Sequence, residues 1–209
     1  YHSFFYKQAV NIAYICHMNV LIVVATKSEI TSVNIKKNPI LITGVGMVNT
    51  AINLSKELMT NDYEMVINMG VAGSFLDELN NGEVVEVIED YFSDIGFQDG
   101  ESFEEITDFN LKIKYRVDAK TTLRSVRAIS VNTVHGNEES IIEMIKRLNP
   151  DIESMEGASV FKVCEEFNVP CMLIRSISNK VEKRNKKNWD LALAIKNLNI
   201  EVEKIIDNL

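Results

Sequence analysis

Residues 151–178 read DIESMEGASVFKVCEEFNVPCMLIRSIS and carry the strongest indication of the architecture. The first five residues, DIESM, form a short segment of the kind that predicts a strand. GASVFKVCEEFN (157–168) has the apolar spacing and the helix-forming residues of a helix. CMLIRSIS (171–178) is a continuous apolar run, typical of a strand that is buried on both faces. A strand, a helix and a strand in this order indicate an α/β protein.

The same alternation extends outward from this stretch. Strands are predicted at 19–25, 39–46, 64–73, 83–92 and 127–133, and helices at 47–60, at 138–149 and from about residue 189 onward. EVVEVIEDYF (83–92) alternates apolar and acidic residues, which predicts a strand with one solvent-exposed face. Residues 93–127 show no long period and predict loops and short strands. The whole pattern predicts a three-layer α/β/α sandwich with a central mixed sheet.

The chain of 209 residues is long enough for one domain with a sizeable core. We place that domain at 18–209, because MNVLIVVATKSEI (18–30) resembles a natural start. Residues 1–17 are a leader outside this pattern. The leader is too short and too polar to span a membrane, and it lacks the basic region and cleavage site of a signal peptide.

Composition excludes several classes of function. A net charge of -8 argues against a nucleic-acid-binding protein, and neither a membrane partner nor a cofactor is expected. The three cysteines, Cys16, Cys164 and Cys171, fit no zinc or redox motif, and we expect them to be reduced and mostly buried in a cytoplasmic protein. The three histidines have no cysteine or carboxylate at ligand spacing, so no metal site is predicted.

Polar or glycine-rich turns end four of the predicted strands, at 26–29, 68–73, 153–156 and 175–179. In open α/β sheets, ligands collect at the carboxyl ends of the strands. If these turns converge, they bring together two carboxylates, an arginine, an amide and a glycine turn. Such a set suits cleavage of a glycosidic bond, because carboxylates stabilise a cationic sugar and activate water.

Each of these residues also has an ordinary structural interpretation. Glu29 could lie on a surface helix, and Glu156 could be an acid at a helix N-terminus. Asn179 could be a turn residue. The glycines of GVAG (70–73) and TGVGM (43–47) could serve only tight turns and packing.

The run IESMEGASVFKVCEEFNVPCMLIRSISN (152–179) resembles the signature of the nucleoside phosphorylase and nucleosidase family, which includes the methylthioadenosine/adenosylhomocysteine nucleosidases. MNVLIVVATKSEI and INMGVAGSF (67–75) extend the resemblance over nearly all of residues 18–209. The resemblance implies a nucleoside phosphorylase-like fold, a small-molecule nucleoside as the partner, and a homodimer or higher homo-oligomer.

The resemblance also assigns roles residue by residue. It implies that Glu29 activates water, that Glu156 binds the ribose hydroxyls, and that Asn179 lies beside N7 of the purine. The remaining substrate-binding positions that it implies are Val71, Ala72, Gly73, Met155, Arg175 and Ser178.

Two departures from the family pattern narrow the function. Adenine-cleaving members carry an aspartate where this chain has Asn179, and an amide suits the O6 and N7 acceptors of a 6-oxopurine better than adenine. The phosphorylases place arginines in two segments where this chain offers only Lys27, so water is favoured over phosphate as the nucleophile.

The segment ISNKVEKRNKKNWDLALAIKNL (177–198) resembles the futalosine hydrolase subfamily, which releases hypoxanthine from futalosine in menaquinone biosynthesis. For Trp189 we favour a simpler role as a core anchor, and Arg184 could form a salt bridge at a helix start. The alternatives to a futalosine hydrolase are a methylthioadenosine/adenosylhomocysteine nucleosidase, a phosphorylase and a non-catalytic nucleoside-binding protein.

Overall fold

The computed structural model describes residues 18–100, 102–106 and 109–209. The leader at 1–17, with Cys16, lies outside the described residues. The described part contains ten strands and four α-helices. In chain order they are β1 (Val20–Val24), β2 (Ile40–Ile42), α1 (Met47–Thr60), β3 (Met65–Ser74), β4 (Val84–Phe92), β5 (Gly96–Asp99), β6 (Ser102–Glu105), β7 (Lys114–Arg116), β8 (Arg124–Ser130), α2 (Glu138–Leu148), β9 (Ile152–Ser154), α3 (Gly157–Glu166), β10 (Cys171–Lys180) and α4 (Leu191–Asp207).

Eight of these strands form one mixed sheet in the order β10-β4-β8-β9-β3-β1-β2, with β7 paired to β4. Strand β10 also pairs in parallel with β3 over most of its length, so β3, β10, β4, β8 and β9 close into a ring. The pairs β10–β4 and β3–β9 are antiparallel, whereas β4–β8 and β8–β9 are parallel. The predicted mixed sheet is therefore confirmed.

Helices cover both faces of the sheet. Alternate residues of β1 show this directly, since Leu21 and Val23 pack with α1 and α3, while Ile22 and Val24 pack with α4. The continuous apolar run of β1 is thus explained by burial on both faces. Helix α2 contributes Met144 to a third, smaller cluster beside β8. This arrangement confirms the predicted three-layer α/β/α fold.

The prediction that β4 exposes one face to solvent is wrong. Glu86, Glu89 and Asp90 are all buried. The backbone N–H groups of Lys120 and Thr121 donate to the Glu86 carboxylate at 2.8 and 2.9 Å. Strand β4 lies inside the sheet, and Glu86 is satisfied there by backbone donors that a period-two pattern does not reveal.

The other differences are small. Residues 93–127 do hold short strands: β5 and β6 form a hairpin and β7 pairs with β4. Strand β8 begins three residues earlier than predicted, and β10 continues to Lys180. Cys164 and Cys171 are buried free thiols, as expected. Among the helices of the described residues, none is long and apolar enough to cross a membrane.

Candidate active site

A cavity of about 530 Å³ opens where the ends of β1, β3, β9 and β10 meet. All four of the turns predicted to converge contribute to it or lie directly beneath it. Every residue assigned a site role from the sequence lines the cavity, with the exception of Arg175. The residues from that set that line it are Glu29, Val71, Ala72, Gly73, Met155, Glu156, Ser178 and Asn179.

Glu29 ends a short 3-10 helix, Lys27–Glu29, that follows β1. The backbone N–H of Thr26 donates to Glu29 Oε2 at 2.8 Å, which fixes the side chain toward the cavity. Burial raises the pKa of the Glu29 carboxyl, while the bond from Thr26 and the charge of Arg175 oppose the rise. A buried carboxylate with a raised pKa and access to the cavity has the properties of a general base.

Arg175 lies behind the cavity wall and does not line it. Its side chain is fully buried, and its Nη2 donates to Asn68 Oδ1 at 2.6 Å. Gly70 lies close to both Arg175 and Glu29: a Cβ atom at Gly70 would lie 3.2 Å from Glu29 Oε1 and 3.7 Å from Arg175 Nη1. The charge of Arg175 lowers the pKa of Glu29 and so opposes the effect of burial.

Glu156 precedes α3, yet its side chain does not cap that helix. Its Oε1 instead accepts a hydrogen bond of 2.9 Å from the backbone N–H of Gly46, at the start of α1. Gly46 has φ +96°, a conformation that favours glycine. The glycines of TGVGM thus do more than form a turn, because one of them orients Glu156. The other carboxylate oxygen of Glu156 has no partner among the described residues.

A buried polar chain holds the start of α3 in place. Ser130 Oγ donates to Asp90 Oδ1 at 3.1 Å and accepts from the backbone N–H of Ala158 at 2.8 Å. Asp90 is fully buried, and burial raises its pKa to about 7, against the opposing charge of Arg175. Since Gly157 would clash with Asp90 Oδ2 at 2.1 Å if it carried a Cβ, only glycine fits directly after Glu156.

Asn179 reaches the cavity because the register of β10 shifts between Ile177 and Asn179. Such an irregularity re-aims the side chains that follow it. Ser178 Oγ donates to Asn179 Oδ1 at 2.8 Å, and Asn179 Nδ2 donates to the Lys180 carbonyl at 2.8 Å. One N–H of the amide and one lone pair of its oxygen remain for a ligand.

His135 and Glu153 form a pair in the cavity wall that the sequence did not indicate. Glu153 Oε2 lies 2.6 Å from His135 Nδ1, and the backbone N–H of His135 donates to Oε1 at 3.1 Å. Both side chains are nearly buried and both line the cavity. His135 lies in the loop after β8 and Glu153 lies in β9, 18 positions further on, so no local pattern could reveal their contact.

Arg184 and Trp189 also line the cavity. The prediction that Trp189 is a core anchor is wrong, since its side chain is only partly buried. The Arg184 guanidinium lies 5.2 Å from the centre of the Trp189 ring, a cation–π arrangement. Arg184 forms no salt bridge within the described part of the chain, so the helix-start ion pair is not observed.

A sequence profile of the Phosphorylase superfamily matches residues 17–207. The chain belongs to the Phosphorylase superfamily. Among its relatives in this superfamily, the 5′-methylthioadenosine/S-adenosylhomocysteine nucleosidase of Psychromonas ingrahamii is 28% identical over 182 residues, or 79% of each chain. The futalosine hydrolase of Thermus thermophilus is 25% identical over 180 residues, which cover 78% of this chain and 79% of that protein.

Solved structures of the superfamily share the fold. A mutant of the 5′-methylthioadenosine/S-adenosylhomocysteine nucleosidase of Helicobacter pylori, with 5′-methylthioadenosine in its active site, superposes with a TM-score of 0.79. The superposition covers 92% of this chain and 99% of that one, at 18% identity. The predicted nucleoside phosphorylase-like fold is thereby confirmed. The nucleosidase and futalosine hydrolase relatives have similar sequence identity to this chain, so sequence identity alone does not select a substrate.

Proposed function

We propose that this protein hydrolyses the N-glycosidic bond of a purine nucleoside and that its preferred leaving base is hypoxanthine, as in futalosine. Two carboxylates in the cavity carry the first half of the proposal. Glu29, with its raised pKa, takes a proton from the attacking water. Glu156 accepts hydrogen bonds from the ribose hydroxyls and stabilises the positive charge that develops on the sugar.

The described residues of the cavity offer few free cations, which favours water over phosphate as the nucleophile. Lys180 and Arg184 are the basic residues among the described lining residues, apart from the imidazole of His135. Lys180 Nζ is already bonded to the carbonyl oxygens of Leu76 and Leu79, and Arg184 is placed over Trp189. A phosphate dianion would find few charged partners beside Glu29, whose own negative charge would repel it.

The Asn179 amide is the observation that carries the choice of base. Its Nδ2 faces the Lys180 carbonyl at 2.8 Å, a contact that an amide makes as a donor. A carboxylate in its place would set two acceptors against each other at that distance. This contact supports an amide at position 179, whose free N–H suits N7 or O6 of hypoxanthine.

The Arg184–Trp189 pair supports futalosine as the specific substrate. Futalosine carries a carboxyphenyl ketone at the end remote from the purine. An aromatic plane and a guanidinium in the same cavity match a benzoate, because the ring can stack and the carboxylate can pair with the cation. We further propose that the enzyme works in the cytoplasm, in menaquinone synthesis, as a homodimer.

The second candidate is a methylthioadenosine/adenosylhomocysteine nucleosidase. It is favoured by the 28% identity to the Psychromonas enzyme of that name. The same two carboxylates would serve this reaction. It differs in the base, because the exocyclic amine of adenine presents a donor beside N7, where the Asn179 amide offers its own free N–H.

Substitution Asn179→Asp separates the two candidates. We expect wild type to show a higher kcat/KM for futalosine than for its 6-amino analogue or for methylthioadenosine. We expect Asn179→Asp to weaken futalosine cleavage by roughly 10- to 100-fold, since an unpaired buried polar group costs about 1–3 kcal/mol. If wild type cleaves methylthioadenosine as well as it cleaves futalosine, the assignment to the futalosine hydrolase subfamily is wrong. The assignment as a nucleosidase would still stand.

A further inference from the structure

His135 lines the cavity and has one ring nitrogen, Nε2, that is not engaged by Glu153. Glu153 occupies Nδ1 at 2.6 Å, and no described residue forms a hydrogen bond with Nε2. The ring also packs edge-on against Phe75, with centroids 6.1 Å apart, which restrains its rotation. Because a carboxylate accepts at Nδ1, that nitrogen carries a proton, and Nε2 is left to exchange one with a ligand.

The His135–Glu153 pair lies next to the base-recognising amide. A Cβ atom at Gly73 would lie 3.3 Å from Asn179 Nδ2 and 3.5 Å from Glu153 Cγ, so only the bare Gly73 backbone separates the two. The pair and the amide both line the cavity, with Glu153 on the side of Asn179. One recognises the base by hydrogen bonds, and the other can supply a proton.

We propose that His135, oriented by Glu153, is the general acid that protonates the departing purine. This inference rests on the proposed nucleoside hydrolysis and adds a catalytic residue to it. A purine that leaves as an anion is a poor leaving group, and Asn179 has no proton to give. The Glu153 carboxylate lies 2.6 Å from Nδ1 and so fixes the orientation of the ring, which leaves Nε2 as the nitrogen that can donate to the base.

Atoms and electrons balance in this step. The C1′–N9 bond breaks and its electron pair stays with the purine, while the proton on His135 Nε2 passes to the purine N7. The base leaves neutral. Water adds to C1′ and loses one proton to Glu29. Afterwards Glu29 releases that proton and His135 takes one up, through solvent, so the net reaction consumes one water.

The test compares two leaving groups. Futalosine releases a purine that needs a proton, whereas p-nitrophenyl β-D-ribofuranoside releases nitrophenolate, which departs without one. His135→Asn is the main variant, because the asparagine amide can still donate to Glu153 and hold the loop. Glu153→Gln removes the charge at the same contact, and Glu143→Gln on the exposed face of α2 is the matched control.

We expect His135→Asn to lower kcat on futalosine by about 10²–10⁴-fold, the usual contribution of a general acid, and to change kcat on the nitrophenyl riboside by only a few fold. Glu153→Gln should show the same selectivity with a smaller loss, and Glu143→Gln should match wild type. Equal losses of kcat on both substrates in His135→Asn would mean that the His135–Glu153 pair only shapes the loop. Unchanged kcat on futalosine would mean that His135 takes no part in the reaction. Either result overturns the inference about His135 and leaves the proposed nucleosidase activity standing. If wild type cleaves no purine nucleoside, the proposed function itself fails, and the inference with it.

Discussion

Replacing Glu29 with glutamine removes proton transfer while retaining the local structure. The carbonyl oxygen of the introduced side-chain amide could still accept the 2.8 Å bond from Thr26 N–H, so the turn after β1 should keep its shape. The amide cannot take a proton from water. A general base contributes about 10²–10⁴-fold to the rate, which is roughly 3–5 kcal/mol of transition-state stabilisation. We therefore expect Glu29→Gln to lower kcat by that factor with KM nearly unchanged.

The pH profile gives the sharper test of Glu29. Burial raises the pKa of Glu29 above its ordinary 4.5, and a base must be unprotonated to act. The wild-type kcat should therefore fall as the pH drops through this raised pKa, at a higher pH than an exposed glutamate would give. Steady-state assays by release of the free base, between pH 4 and 8, should show this acid limb in wild type and its absence in Glu29→Gln. Near-wild-type turnover in the variant, or an unchanged acid limb, would refute the assignment.

Three further predictions concern other residues. Glu156→Gln keeps an acceptor for Gly46 N–H but loses the charge, so kcat should fall more than KM rises; a change in KM alone would reduce Glu156 to a binding residue. Arg184→Ala should raise KM for futalosine and leave KM for inosine, which lacks the carboxyphenyl group, nearly unchanged; equal effects on both would remove Arg184 from recognition of the benzoate. Asp90 has a pKa of about 7 in the folded protein against an ordinary 3.8, so the folded state keeps this proton to a higher pH than the unfolded state does. The free energy of unfolding should therefore fall as the pH rises from about 4 to 7, by up to roughly 4 kcal/mol. Urea unfolding at several pH values should show no such fall for Asp90→Asn, whereas the exposed control Asp77→Asn should show the same fall as wild type. The same dependence of the unfolding free energy on pH in all three proteins would contradict this role of Asp90.

The sequence predicted most of the architecture because the core is regular. The apolar runs at β1, β3 and β10 and the helical period of α1 set the elements to within a few residues. Convergence of the strand ends then followed from the general behaviour of α/β sheets. The roles of Glu29, Glu156 and Asn179 needed the family resemblance as well, because each has an ordinary structural interpretation.

What the sequence missed depends on contacts between distant residues. The burial of Glu86 depends on backbone donors more than thirty residues away. The pairing of His135 with Glu153 depends on β8 and β9 lying side by side. Trp189 was misplaced because an aromatic residue before a helix has the same local pattern whether it faces a core or a cavity.

Product analysis tests the central proposal most directly. The protein would be incubated with equal concentrations of futalosine and methylthioadenosine, with and without phosphate, in ¹⁸O-labelled water. Initial rates of hypoxanthine and adenine release would be measured by chromatography, and the sugar product by mass spectrometry. We predict that hypoxanthine is released faster, independently of phosphate, with one ¹⁸O atom in the sugar. Dependence on phosphate, a sugar phosphate product, or adenine released at an equal or higher rate would contradict the proposal.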